Sequence, residues 1–180
     1  MRAKTILAAL LIAGALPMMS ANAEPIDTAK LKCLDVADGT RPKPEAVALF
    51  SWMHGFIGGM RNDTFFDDAR YNADLDKMAE ICRGGSEKPV LEIFEELPPS
   101  PARPESIDVA KMTCGDFASM GEEGTGIILP WLDGYIGNLV EDTVYDKRNA
   151  EDYMVKVQES CAKDSKLNLL ELVRAAAIEE

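Results

Sequence analysis

The chain has one histidine, four cysteines, 7% aromatic residues, and only 19 Lys and Arg against 31 Asp and Glu in 180 residues. Each shortage excludes something. With a formal net charge of −12 there is no basic surface to meet phosphate, so nucleic acid is not expected as a partner. His54 alone cannot build a His-based catalytic set, and no other segment assembles a nucleophile, a base and an oxyanion site. The chain is therefore read as a non-enzyme that needs no cofactor. No C-x-x-C pair or His partner is available for zinc, so no metal site is expected. After the first residues no apolar run approaches the roughly 20 residues that cross a bilayer. No stretch sustains apolar–polar alternation with β-branched residues, which points to an all-α fold.

What is present begins with residues 1–23. Arg2 and Lys4 precede the apolar stretch Ile6 to Met18 and the small-residue end Ala21-Asn22-Ala23, the layout of a cleaved secretory signal peptide. Pro17, Ser20 and Asn22 break the run before it could serve as a membrane anchor. The mature chain is expected in the periplasm, off the membrane, where disulfides persist. Cleavage leaves 17 basic residues against 31 acidic ones, a net charge of −14.

The four cysteines repeat. Cys33 to Cys82 spans 49 positions and Cys114 to Cys161 spans 47. Around them the chain is written twice. Ile26-Asp27 and Ala29-Lys30 match Ile107-Asp108 and Ala110-Lys111, and Trp52, Gly55, Ile57, Gly58, Asp63, Thr64 and Asp67 match Trp131, Gly134, Ile136, Gly137, Asp142, Thr143 and Asp146. Such self-similarity sets the folding unit. Of the three possible pairings, the repeat selects the one in which each unit closes on itself, Cys33 with Cys82 and Cys114 with Cys161. The organisation follows: signal peptide 1–23, first unit 24–97, proline-rich linker 98–106, second unit 107–180. The linker is expected to be extended and semi-rigid.

Within each unit the longest apolar pattern is helical. Leu49, Trp52, Met53, Phe56, Ile57 and Met60 recur in steps of 3, 1, 3, 1 and 3, as do Ile128, Trp131, Leu132, Tyr135, Ile136 and Leu139, so both units carry an amphipathic helix with a Trp. A shorter helix leads to the second cysteine and a last one carries Val90, Leu91, Phe94 and Leu97, or Leu169, Leu170, Val173 and Ala176. Thr113 with Asp116 reads as an N-terminal cap that puts Cys114 in the first helical turn; the first unit has Lys32 there and needs another cap. Gly55, Gly58 and Gly59, with Gly134 and Gly137, cost helix propensity, and close approach of another helix is the reason expected. Asp63, Asp67, Asp142 and Asp146 fit no calcium loop and are read as turns or caps.

Met112-Thr113-Cys114-Gly115-Asp116-Phe117, then Trp131-Leu132-Asp133-Gly134-Tyr135, then Cys161 and a last amphipathic helix, resembles the HdeA/HdeB family of periplasmic acid-stress chaperones. The resemblance covers most of 107–178 and, more loosely, 26–97, where Lys32, Val36 and Phe56 replace Thr113, Phe117 and Tyr135. It implies a tandem of HdeA-like units, folded and inactive near neutral pH, that loosens in acid and holds unfolded periplasmic proteins in solution. It also implies a unit-to-unit pairing, here either an intramolecular pseudo-dimer or a homodimer of chains. The alternative class is an inhibitor or immunity-type protein that binds a secreted hydrolase at neutral pH.

The charges fit an acid response. By about pH 2 most carboxylates are neutral, and with His54 protonated the net charge approaches +18. Carboxylates that are hydrogen-bonded in the folded state release their contribution to stability over that descent, and intact disulfides limit how far the fold opens. The candidate client-binding or interface surface is Trp52, Met53, Phe56 and Ile57 with Trp131, Leu132, Tyr135 and Ile136.

Overall fold

The computed structural model describes residues 24–37, 42–99 and 103–178; the expected signal peptide, and residues 100–102 of the expected linker, lie outside them. The described residues are mostly helical, with eight α-helices and four two-residue strands. In chain order they are β1 (Ile26–Asp27), α1 (Cys33–Ala37), α2 (Lys43–Met60), β2 (Phe65–Phe66), α3 (Asp68–Arg83) and α4 (Val90–Glu96). Then follow β3 (Ile107–Asp108), a 3₁₀ turn (Val109–Lys111), α5 (Cys114–Ser119), α6 (Gly121–Leu139), β4 (Val144–Tyr145), α7 (Lys147–Lys163) and α8 (Leu169–Ile178). The second half repeats the element order of the first.

Local chemistry explains these boundaries. Thr113 and Asp116 form a reciprocal capping box at α5, the Thr hydroxyl accepting from the Asp116 N–H and the Asp carboxylate accepting from the Thr113 N–H. In the first half Asp35 accepts from the Lys32 N–H, so one arm of the box survives without the threonine. Asp63 and Asp142 turn the chain by accepting from the N–H two residues on. Asp67 and Asp146 then cap α3 and α7 by accepting from Arg70 and Arg148, which satisfies backbone donors that a helix start leaves free. Proline near the start of α2 fits the first turn, where no helical partner for its missing N–H is needed. The disulfides join Cys33 to Cys82 and Cys114 to Cys161; each ties the first helix of its half to the last turn of the third.

The halves interlock. β1 pairs antiparallel with β4, and β2 with β3, so every strand partner comes from the other half. The hydrophobic cores are exchanged in the same way. Phe66 and Tyr71 pack with Trp131, Leu132 and Val173, while Tyr145 packs with Trp52, Met53 and Phe94. The arrangement is a pair of helical layers built around α2 and α6, with each half completing the core of the other.

Candidate functional site

The site is the contact between α2 and α6. Their contacts ascend together, Ser51 against Ile127, Gly55 against Trp131 and Gly59 against Tyr135 and Asn138, so the helices run in the same direction. The approach is closer than side chains permit. A Cβ on Gly55 would lie 1.8 Å from the Trp131 carbonyl oxygen, and one on Gly134 1.9 Å from the Trp52 carbonyl oxygen. Each indole then lies against the other helix, Trp131 over Gly58 and Trp52 over Gly137, both with 3.0 Å to where a Cβ would stand. Tyr135 stacks on Trp131 and Phe56 on Trp52, with ring centroids 5.5 and 5.3 Å apart. Glycine is present here because backbone meets backbone.

All eight residues of the predicted apolar surface are buried, but in two cores, Trp131, Leu132, Tyr135 and Ile136 in one and Trp52, Met53, Phe56 and Ile57 in the other, with the two indoles at the helix contact itself. Trp52, Met53, Phe56, Ile57, Trp131, Leu132, Tyr135 and Ile136 are each at most 6% exposed. In the folded state described here this surface is closed, and any use of it by another protein requires the halves to part.

Carboxylates hold the seams. At one junction the Thr28 N–H and hydroxyl both donate to the Thr143 carbonyl, and Asp27 accepts from the Thr143 hydroxyl. At the other, the Val109 N–H donates to the Thr64 carbonyl, and Asp108 accepts from the Thr64 hydroxyl at 3.1 Å. Hydrogen bonding from Lys30 is the main cause that holds the Asp27 carboxyl below the usual carboxylate range, with Thr143 adding to it. Lys111, then Thr64, does the same for Asp108. A third carboxylate, Asp67, ties the connecting segment to the cap of α3. It accepts from the Arg103 guanidinium, from the Ser106 hydroxyl at 2.9 Å and from the Arg70 N–H at 2.9 Å. The Arg103 hydrogen bonds, ahead of the others, hold its carboxyl far below the usual range.

His54 adds a polar bond across the interface that its sequence context does not suggest. The Trp131 indole N–H donates to Nδ1 at 3.2 Å. An indole N–H only donates, so Nδ1 is the unprotonated nitrogen and Nε2–H donates to Asp74 at 3.1 Å. Arg70 stands 3.8 Å from that same carboxylate and bonds Asp63 at 2.7 Å. When acid places a proton on both ring nitrogens, Nδ1 ceases to accept and the bond to Trp131 is lost. The matching position in α6 is Asp133, so this latch occurs once. The helical step pattern of apolar residues passes over the histidine, whose partner lies 77 residues away.

Among the described residues no group of three or more His, Cys, Asp or Glu is placed to hold a metal ion, and no helix is long and apolar enough to cross a membrane.

A scan of family models matches residues 98–171 to the HdeA/HdeB family. Searches of curated proteins and of solved structures gave no match. The matched segment holds the capping box, α6 with Trp131, and the second disulfide. The family is one of periplasmic acid-stress chaperones that bind unfolded client proteins, not of enzymes. Residues 98–171 are thus similar to the HdeA/HdeB family.

Proposed function

We propose that this protein is a periplasmic, ATP-independent holding chaperone whose two halves are duplicated HdeA-like units, paired within one chain and released by acid. The observation that carries the reading is the placement of depressed carboxylates at the seams that close the apolar helix pair. Asp27 and Asp108 bridge the two strand junctions, and Asp67 fastens the connecting segment. A carboxyl held below its ordinary 3.8 contributes stability above that pH and loses the contribution as pH falls through its lowered value. All three seams therefore weaken below about pH 3.8. The net charge swings from about −14 to about +18 over the same descent, which drives the halves apart.

Opening would bare Trp52, Met53, Phe56 and Ile57 with Trp131, Leu132, Tyr135 and Ile136, a surface suited to unfolded chains. The disulfides, each inside one half, survive acid and keep the separated halves compact. Because the halves are joined, their mutual effective concentration is on the order of millimolar, and opening is expected to be nearly independent of protein concentration. The test is aggregation of a model client at pH 2 to 3 with and without the mature protein. Suppression supports the reading; no suppression, together with no gain in apolar-dye binding, sinks it.

A further inference from the structure

The two halves differ at one pair of matching positions in a way that leaves a cleft. In the first half Tyr71, on α3, is 4% exposed and its hydroxyl donates to the Val47 carbonyl of α2 at 3.2 Å. The matching residue of α7 is Ala150, and the residue matching Val47 is Gly126 on α6. Where the first half seats a phenol ring, the second has an apolar cleft of about 270 Å³ lined by Ala150, Gly126, Leu129, Pro130, Tyr145 and Met154 among others. An apolar cavity of about 150 Å³ suffices for benzene, so a substituted ring fits.

The cleft also has a hydrogen-bond acceptor of the right kind. Pro130 lies inside α6 and has no N–H to give to the carbonyl four residues earlier, which is that of Gly126. The neighbouring Ile127 carbonyl takes the Ser51 hydroxyl at 2.6 Å, and Ser51 is itself the residue that matches Pro130. Gly126 therefore stands where Val47 stands, with its helical donor removed and a Tyr-sized space beside it.

We infer that this cleft is a binding site for a para-substituted phenol, whose ring takes the place that Tyr71 fills in the other half and whose hydroxyl donates to the Gly126 carbonyl. The inference concerns the folded protein at neutral pH and stands independently of the chaperone reading. The test is an NMR titration of the full mature chain at pH 7 with p-cresol and with toluene, which differ only in the hydroxyl. Binding of p-cresol is expected to be about tenfold tighter than that of toluene, as one hydrogen bond allows. Ala150→Tyr, which places a tyrosine where Tyr71 already shows one is accommodated, should weaken p-cresol at least tenfold. Ala150→Met is the second filling variant, and unchanged far-UV circular dichroism verifies folding for both. Pro130→Ser restores the helical N–H that the first half has, where the Val47 carbonyl still accepts from Tyr71, so the preference for p-cresol should shrink without vanishing and toluene should stay bound. N-acetyl-tyrosinamide separates the sources: binding as tight as p-cresol assigns the site to a side chain of a bound polypeptide, and p-cresol alone assigns it to a free phenol. Binding of neither, equal binding of p-cresol and toluene, or p-cresol binding unchanged in both folded Ala150 variants would overturn the inference.

Discussion

Adding one methyl group at Gly55 should loosen the whole molecule. In an open helix Gly→Ala stabilises by up to about 1 kcal/mol, because alanine has the better helix propensity. At Gly55 the new Cβ would stand 1.8 Å from the Trp131 carbonyl oxygen, inside the 3.0 Å that real contacts respect. The helices must therefore part by more than 1 Å along a face where both indoles are packed. A gap of 0.5 to 1 Å already forfeits about a quarter to a half of each dispersion contact, and overpacking of a core costs typically about 1–3 kcal/mol. Rigid backbone on both sides places Gly55→Ala at the upper end, so the net loss is about 2 kcal/mol after the propensity gain. Gly126→Ala is the control: the same helix pair, no atom within 4 Å of the added methyl, and an expected gain of up to about 1 kcal/mol. Urea unfolding at pH 7, followed by tryptophan fluorescence, measures both. The acid transition of Gly55→Ala should also move to higher pH, because less proton binding is needed to open a weakened interface. If both variants were stabilised alike, α2 and α6 would not be in contact and the described packing would be refuted.

Three other outcomes follow from particular residues. Asp67→Asn should cost about 1 kcal/mol at pH 7, a charged hydrogen bond discounted for the exposure of Arg103; equilibrium unfolding at pH 7 and pH 3 should show the difference shrink as pH falls below about 3.8. Cys33→Ser with Cys82→Ser should cost about 4 kcal/mol in the chain-entropy picture, and light scattering of the acid state should show a larger radius than in the parent. Glu141 has φ of +58° at the end of α6, where the matching Asn62 has +52°; Glu141→Asn should raise stability by a fraction of about 1 kcal/mol in thermal unfolding, since asparagine accepts this conformation more readily.

Much of this architecture was legible in the sequence, for identifiable reasons. The cysteine spacing and the matched residues around Trp52 and Trp131 reveal two helical halves, and the observed disulfides follow the pairing that the repeat selects. The step pattern of apolar residues placed α2 and α6, and the cluster of glycines on them correctly signalled a close helix approach. The Asp63 and Asp67 pattern read correctly as turn and cap because those side chains bond their own neighbours, an interaction of two or three residues' reach. The exchange between halves was not legible. Strands of two residues carry no alternation to detect, and a repeat fixes what each half contains without saying whether Phe66 completes its own core or the other. The His54–Trp131 bond and the Arg103–Asp67 clasp were missed for the same reason, since each joins residues far apart in sequence with no local pattern. The segment with Arg103 reads as a spacer by its prolines, whereas the structure fastens its end to a buried carboxylate.

The central claim is that acid parts α2 from α6 and that the uncovered face holds clients. One titration from pH 7 to pH 2 tests it, with the emission of Trp52 and Trp131, each 1% exposed when folded, recorded alongside light scattering of an acid-denatured client. Exposure of the indoles to water and suppression of client aggregation should begin at the same pH, below about 3.8, and at a point unaffected by protein concentration. Suppression of aggregation with both indoles still buried, or exposed indoles with aggregation unchecked, would contradict the account.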